Sequence, residues 1–158
     1  MKKFELTSES VTFLGKTLFR IKALVSFGDV AEGELGGFIE RENNLDQSGD
    51  AWVSGNAWVS GDARVCGDAR VFGNAWVSGD ARVQNCRDYS ATSCFGSENR
   101  TTTFFRTKDG GISVRCGCFY GTLREFREKV KERHGDSRLA KEYLMLADLM
   151  EFRLSKDE

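Results

Sequence analysis

Apolar positions between residues 49 and 84 recur every six residues without a break. The hexads read GDAWVS, GNAWVS, GDARVC, GDARVF, GNAWVS and GDARVQ. Each contains Ala-X-Val, so alternation places Ala and Val on one side of a short strand and X, which is Trp or Arg, on the other. Each begins with Gly-Asp or Gly-Asn, which favours a turn. One hexad buries nothing alone, so the pattern predicts stacked coils with Ala and Val inside.

A longer period of 18 residues is superimposed on the hexads. GNAWVS at 55–60 returns unchanged at 73–78, and the third and sixth hexads differ only at their last residue. Three hexads per coil therefore fit, and they predict a triangular prism whose coils rise about 4.8 Å each. A recent duplication would produce the same identities, so that alternative stays open.

The segments before the repeat alternate apolar and polar positions less regularly. Residues 3–28 predict two or three strands with a turn near Leu14-Gly15-Lys16. Residues 33–47 predict an imperfect first coil in which Ile39 and Leu45 keep the phase of the Ala position. We expect the preceding strands to cap the open end of the coils, because an uncovered end offers unpaired backbone groups.

After residue 84 the hexad decays, since Arg87 and Tyr89 stand where Ala and Val should be. Residues 101–107 and 112–118 predict a hairpin around Lys-Asp-Gly-Gly. The sequence Thr-Leu-Arg-Glu at 122–125 is a capping box that begins a helix to about residue 134. A second helix is predicted from near residue 137, with an apolar stripe formed by Leu139, Tyr143, Leu146, Leu149 and Met150.

The hexads place a small residue four positions after each aliphatic one, as in the pairs Val53 with Ala57, Val59 with Ala63, and Val65 with Ala69. This spacing resembles the left-handed parallel β-helix. The resemblance implies a homotrimer, and several proteins of that fold are acyltransferases or carbonic anhydrases. The predicted fold is therefore mainly β: a left-handed parallel β-helix over 33–90, an N-terminal β cap over 1–32 and a C-terminal ββαα unit over 91–158.

The flanking segments carry a second resemblance. LGGFIE at 35–40 and ENNL at 42–45 precede the repeat, and GCFYGTL at 117–123 and HGD at 134–136 follow it. Together they resemble a family of uncharacterised phage and prophage hexapeptide-repeat proteins. This resemblance implies no established chemistry.

Composition narrows the class of protein. The net charge of -1 provides no bulk field for long nucleic acid. No apolar run is long enough to span a membrane, and Met1-Lys2-Lys3 is not followed by an apolar core. The five cysteines fit reduced thiols. We expect a cytoplasmic protein, in the host cytoplasm if it is phage-encoded.

Candidate chemistry is sparse. The resemblance implies a histidine base for acyl transfer or three histidines for a metal, whereas this chain has one, His134, at the end of a predicted helix where it would meet the last carbonyls. We therefore predict no enzyme and no cofactor, although Asp62 or Asp80 could serve as a base in a transferase. A cation between stacked aspartates, Asp50 with Asp68 and Asp62 with Asp80, is less favoured than turn N–H groups as their partners.

Four cysteines offer a further alternative, a zinc site. Their spacings match no paired CxxC pattern, so buried free thiols are the favoured interpretation. The fifth, Cys66, is predicted at a corner of a coil. The four are Cys86, Cys94, Cys116 and Cys118.

The outward X positions are the most informative part of the repeat. One face should carry Trp52 and Arg70, the next Trp58 and Trp76, and the third Arg64 and Arg82. Three tryptophans need cover, which subunit packing around a threefold axis or a ligand with flat rings and negative charge would supply. The predicted ligand-binding residues are Arg64, Arg70, Arg82, Trp52, Trp58 and Trp76.

These features favour a binding protein over an enzyme. The leading hypothesis is a phage protein that sequesters a small nucleotide immune signal of the host in inter-subunit clefts. An acyl- or nucleotidyl-transferase-like enzyme and a structural or protein-binding inhibitor are the two alternatives.

Overall fold

The computed structural model describes residues 2–95 and 100–155, and the side chains of residues 94, 95 and 100 stand outside that description. The chain is mainly β. Its strands are β1 (Phe4–Phe13), β2 (Lys16–Ala23), β3 (Leu35–Ile39), β4 (Trp52–Val53), β5 (Trp58–Val59), β6 (Arg64–Val65), β7 (Arg70–Val71), β8 (Trp76–Val77), β9 (Arg82–Val83), β10 (Tyr89–Phe95), β11 (Arg100–Arg106), β12 (Ile112–Cys116) and β13 (Phe119–Thr122). Two helices follow, α1 (Leu123–His134) and α2 (Arg138–Leu154).

The two-residue strands of the repeat pair in parallel with the strand 18 residues further on. β4 pairs with β7, β5 with β8 and β6 with β9. Every Ala and Val of the six hexads is at most 1% exposed, so the predicted inward side and the 18-residue period are confirmed. The corners need glycine: at Gly67, φ is +65° and a Cβ would lie 2.6 Å from the carbonyl oxygen of Gln84.

The first coil is out of the predicted phase. Ile39 pairs with Val59, and Leu45 bridges to Val65, so both occupy the Val position and not the Ala position. The offset arises at the corner from Asp46 to 50, which has two residues more than the matching corner from 66 to 68. Gln47 in this longer corner accepts a hydrogen bond from the backbone N–H of Lys3 at 2.7 Å. The insertion therefore ties the N-terminal strand to the repeat.

An N-terminal hairpin covers the start of the coils. β1 and β2 pair antiparallel through the predicted turn at Leu14 and Gly15, and β2 then pairs with β3. Phe4 and Ile21 are fully buried in one core with the repeat. Polar side chains replace a preceding coil: Asn44 donates through Nδ2 to the carbonyl oxygens of Gly61 and 63, at 3.2 and 2.9 Å.

The other end of the coils is covered by the C-terminal sheet. Thr103 Oγ1 accepts from the backbone N–H of Trp76 at 3.0 Å, and Asp88 Oδ2 accepts from that of Gln84 at 2.8 Å. Tyr89 closes the Ala/Val interior. These contacts leave backbone groups of the last coil paired without a further coil.

The predicted C-terminal ββαα unit is wrong in its strand count. The predicted hairpin is confirmed as β11 and β12, but β10 and β13 extend it to a four-stranded antiparallel sheet. β10 was missed because serine and threonine dilute its apolar pattern, and β13 because it is short. α1 and α2 pack on this sheet in a second core. Leu149, predicted for the buried stripe of α2, is 55% exposed, and Ala147 is buried instead.

Candidate functional site

The third face of the repeat brings two predicted ligand arginines together. Arg64 of β6 pairs in register with Arg82 of β9, so their side chains leave neighbouring strands on the same side. Arg82 Nη1 donates to the carbonyl oxygens of Asp62 and Ala81, both at 2.9 Å, which orients its guanidinium. Arg64 is exposed, and within the described ranges its guanidinium has no hydrogen bond or ion pair. One oriented and one uncommitted guanidinium thus stand side by side.

A cavity of about 250 Å³ lies on one side of this arginine pair. Two further cations, Arg41 and Lys108, line it with Arg64 and Arg82, and two carboxylates, Asp62 and 80, face the same space. Arg41 is ion-paired with Asp62 at 3.5 Å. The lining is net positive although the whole chain is not, so the cavity suits a small anion.

A second cavity of about 470 Å³ lies on the other side of the same pair. Lys2, Arg64 and Arg82 supply its cations, and Glu42 and Asp46 its carboxylates. The thiol of Cys66 is also part of the wall, and burial raises its pKa with a smaller contribution from Asp46. Its thiol is therefore kept protonated and is not an anion competing for the arginines.

The face with Trp52 and Arg70 is occupied by the chain itself. The indole of Trp52 is 1% exposed and lies edge-on to Phe27 at a centroid distance of 5.3 Å. Arg70 forms an ion pair with Asp29. The structure therefore leaves Trp52 no free ring face for a ligand, and it neutralises Arg70.

The face with Trp58 and Trp76 is partly covered. The two indoles stand edge-on at 5.1 Å between centroids, and Phe13 of β1 lies 5.6 and 5.3 Å from them. The indole N–H of Trp76 donates to Ser60 Oγ at 2.9 Å. A trough of about 410 Å³ stays open beside both tryptophans, with Phe38 in its wall. Part of the cover that the sequence led us to expect from other subunits is thus supplied by the chain's own hairpin.

Other candidate groups take structural positions. His134 stacks on Tyr143 at 5.6 Å between ring centroids. Cys86 and Cys118 are exposed, which corrects their prediction as buried thiols, and the side chain of Cys94 lies outside the described residues. Within the described part of the chain, no group of three His, Cys, Asp or Glu is placed to hold a metal ion.

The sequence missed two cations of the arginine face. Arg41 belongs to the irregular first coil, and Lys108 comes from the hairpin turn of the C-terminal sheet. Neither lies at an X position, so the hexad pattern carried no signal for them. The backbone N–H of Lys108 donates to the carbonyl oxygen of Asp80 at 2.8 Å, which holds this turn against the repeat.

Comparison with known proteins agrees with the ladder geometry. The family model described as YdcK Beta solenoid repeat matches residues 63–79. The chain contains a β-solenoid repeat. The matched residues run from the third hexad into the sixth, and the repeat includes Arg64 and Trp76 of two different faces. The matching family is a repeat family and not a known enzyme family.

A search of curated proteins finds no match to the chain. Neither helix in the described ranges has the length and apolar character that crossing a membrane requires.

Proposed function

We propose that the protein is a non-catalytic binding protein that holds a small anionic ligand of the nucleotide class on its Arg64–Arg82 face. The observation that carries this proposal is the uncommitted guanidinium of Arg64 beside that of Arg82, in register on adjacent strands. A guanidinium presents a planar set of N–H donors that matches phosphate, and each charge-assisted bond of this kind is worth roughly 1.5–3 kcal/mol.

The dimensions of the face support a small ligand over a polymer. Cavities of about 250 and 470 Å³ adjoin the same two arginines, so a phosphate and the rest of a nucleotide have separate spaces. The chain's net charge of -1 provides no extended field along which long nucleic acid would bind.

The finer description of the fold is part of the same proposal. We infer left-handed coils from the spacing of aliphatic and small residues, and a homotrimer from the resemblance to proteins built in that way. The open trough beside Trp58 and Trp76 supports subunit contact on that face, because exposed aromatic rings are favourable interface anchors. Ligand sites would then lie in clefts where a neighbouring subunit approaches the arginines.

The resemblance to phage proteins suggests the biological role. A phage protein that binds a nucleotide without converting it would act as a sponge for a nucleotide immune signal in the host cytoplasm. Such a role needs tight binding and no catalytic base. The transferase alternative is less favoured, because the side chain of Asp62 is 75% exposed and paired with Arg41, and not poised in a closed site.

Mass spectrometry of small molecules released by heat from the purified protein tests this function. We expect a phosphate-bearing compound in stoichiometric amount, or binding of at least one member of a nucleotide panel by calorimetry. Recovery of the compound unchanged after prolonged incubation would separate binding from turnover. The absence of both a released compound and binding to the panel would refute the proposal.

A protein partner is the second candidate, favoured by one observation on α2. Three apolar side chains spaced along its outer side are exposed: Met145 by 71%, Leu149 by 55% and Phe152 by 82%. Exposed apolar stripes of this kind are common where a partner docks. A host protein retained by the wild type and lost with both Met145→Glu and Phe152→Glu would support this alternative.

A further inference from the structure

Arg115 of β12 is a buried cation without an anionic partner among the described residues. Its side chain is only 9% exposed. The guanidinium carbon lies 3.7 Å from the ring centroid of Trp76 and 5.6 Å from that of Tyr120. Its Nε atom is buried and has no hydrogen-bond acceptor. The groups that act on its charge are the thiol of Cys118 and the phenol of Tyr120, and neither is a carboxylate.

Other arginines of the described chain that are at least partly buried have acceptors, which makes Arg115 an exception. Arg82 donates to backbone carbonyl oxygens. The remainder are ion-paired: Arg20 with Glu9 at 2.9 Å, Arg70 with Asp29, Arg106 with Asp88 at 3.4 Å, and Arg127 with Asp148 and Glu151 at 2.8 and 2.7 Å. A buried cation left unpaired is costly, and contact with aromatic rings offsets only part of that cost.

A second buried polar group without a partner lies at the same junction. Ser78 is 5% exposed, and its Oγ has no hydrogen bond. It follows Trp76 by two residues along the same chain segment, so both side chains leave on the same side. The hydroxyl of Tyr120 packs so closely on the neighbouring Gly79 that a Cβ there would overlap it. Ser78 and Arg115 are thus both bordered by Trp76 and Tyr120.

We propose that Arg115 and Ser78 form an oxyanion site between the last coil and the C-terminal sheet, which takes a phosphate or carboxylate group. The aromatic rings cover the faces of the guanidinium and leave its N–H edge for the oxyanion. The serine hydroxyl supplies a neutral donor beside it. Exclusion of water would make these hydrogen bonds stronger than they are on an open surface.

This site differs from the Arg64–Arg82 face, since it lies on the tryptophan face and uses a residue of the C-terminal sheet. Its occupant would bridge the repeat and that sheet. An anion bound there would therefore stabilise the packing of the two parts of the chain.

The test is thermal unfolding in increasing inorganic phosphate at constant ionic strength, with chloride as the replaced anion. The background is the Arg64→Met/Arg82→Met double variant, so that the proposed nucleotide face makes no contribution. We expect Tm to rise steadily with the logarithm of the phosphate concentration. Adding Arg115→Met should abolish that rise, whereas the general salting effect of phosphate acts on both proteins and cancels in the comparison.

No phosphate-dependent rise in the double-variant background would overturn the proposal, as would an equal rise after Arg115→Met. If Arg115→Met does not fold, Ser78→Ala in the same background decides the matter. A weaker dependence on phosphate in Ser78→Ala supports the site, and an unchanged one refutes it. Because Arg64 and Arg82 are absent throughout, neither result bears on the proposed nucleotide face.

Discussion

The Nζ atom of Lys3 lies 2.7 Å from the carbonyl oxygen of Ala51, at the point where β4 has no earlier coil beside it. The same ammonium donates to the carbonyl oxygen of Gly49 at 3.3 Å and stands over the ring of Phe27. Burial lowers the pKa of Lys3, against the opposing effect of Asp46 and Asp50. A side chain that normally remains in water is thus used to pair the exposed backbone of the first coil.

Replacing Lys3 with methionine should destabilise the protein although it adds apolar surface to a buried site. The variant leaves the carbonyl oxygen of Ala51 without a donor, which costs about 1–3 kcal/mol. Urea denaturation measures the change. Lys2→Met is the matched control, because Lys2 is 61% exposed and its ion pair with Glu42 should contribute only about 0–1 kcal/mol. Equal stability of the two variants would contradict the capping role.

Val65 and Arg64 are adjacent and have opposite requirements. Val65 is fully buried, so Val65→Asp places an unpaired carboxylate in the narrow interior and should prevent soluble folding. Arg64→Asp is the control, since its side chain is exposed and the fold should persist. Circular dichroism and solubility measure both outcomes. A soluble, fully folded Val65→Asp protein would contradict the inward assignment.

Tyr89 makes stability depend on pH in the alkaline range. Its hydroxyl donates to the carbonyl oxygen of Arg70 at 2.7 Å, and burial raises its pKa to about 12. The folded protein therefore holds this proton more tightly than the unfolded chain, whose tyrosines titrate near pH 10. The contribution is complete below about pH 10 and is lost as the pH rises to about 12.

The measurement is the free energy of unfolding of the wild type and of Tyr89→Phe at several pH values. The difference between the two proteins should shrink by on the order of 2 kcal/mol between about pH 10 and about pH 12. Using the difference removes the titration of the other tyrosines. A difference that stays constant over this range would show that the Tyr89 proton is not held more tightly in the folded state.

The arginine variants should separate into two classes if the proposed function is correct. Arg64→Ala and Arg82→Ala each remove a charge-assisted bond, so affinity for the retained nucleotide should fall roughly tenfold to a hundredfold. Arg70→Ala is the control, because Arg70 is committed to Asp29 on another face and should bind like the wild type. Calorimetry measures all three. Unchanged binding in both Arg64→Ala and Arg82→Ala would remove the ligand from this face.

The trimer proposal predicts a change of mass from a single substitution. Trp58→Glu places a charge in the open trough and should yield monomer by light scattering. Trp76 is less suitable for this test because its ring also contacts Arg115. Leu149→Glu on α2 is the control for a charge added elsewhere on the surface. A trimer that keeps its mass in Trp58→Glu would place the interface on another face.

Much of the repeat followed from short-range chemistry. Val59 and Val77 had to point inward because their period matches the strand, and Gly67 marked a corner because only a residue without Cβ fits there. The capping box at Thr122 likewise determined the start of α1 locally. By contrast, the phase of Ile39 was predicted wrongly, because a two-residue insertion moves every preceding residue relative to the next coil.

The sequence alone determined which side chains leave the repeat and which remain inside, since alternation and hexad period depend only on the local backbone. Only the tertiary structure decided what each outward side chain meets. Arg64 and Arg70 occupy equivalent X positions, yet one is uncommitted and the other is paired with Asp29 from a distant loop. Likewise, Trp52 is buried and Trp58 borders an open trough. Partners for such positions come from residues far along the chain, and hexad periodicity carries no information about contacts of that range.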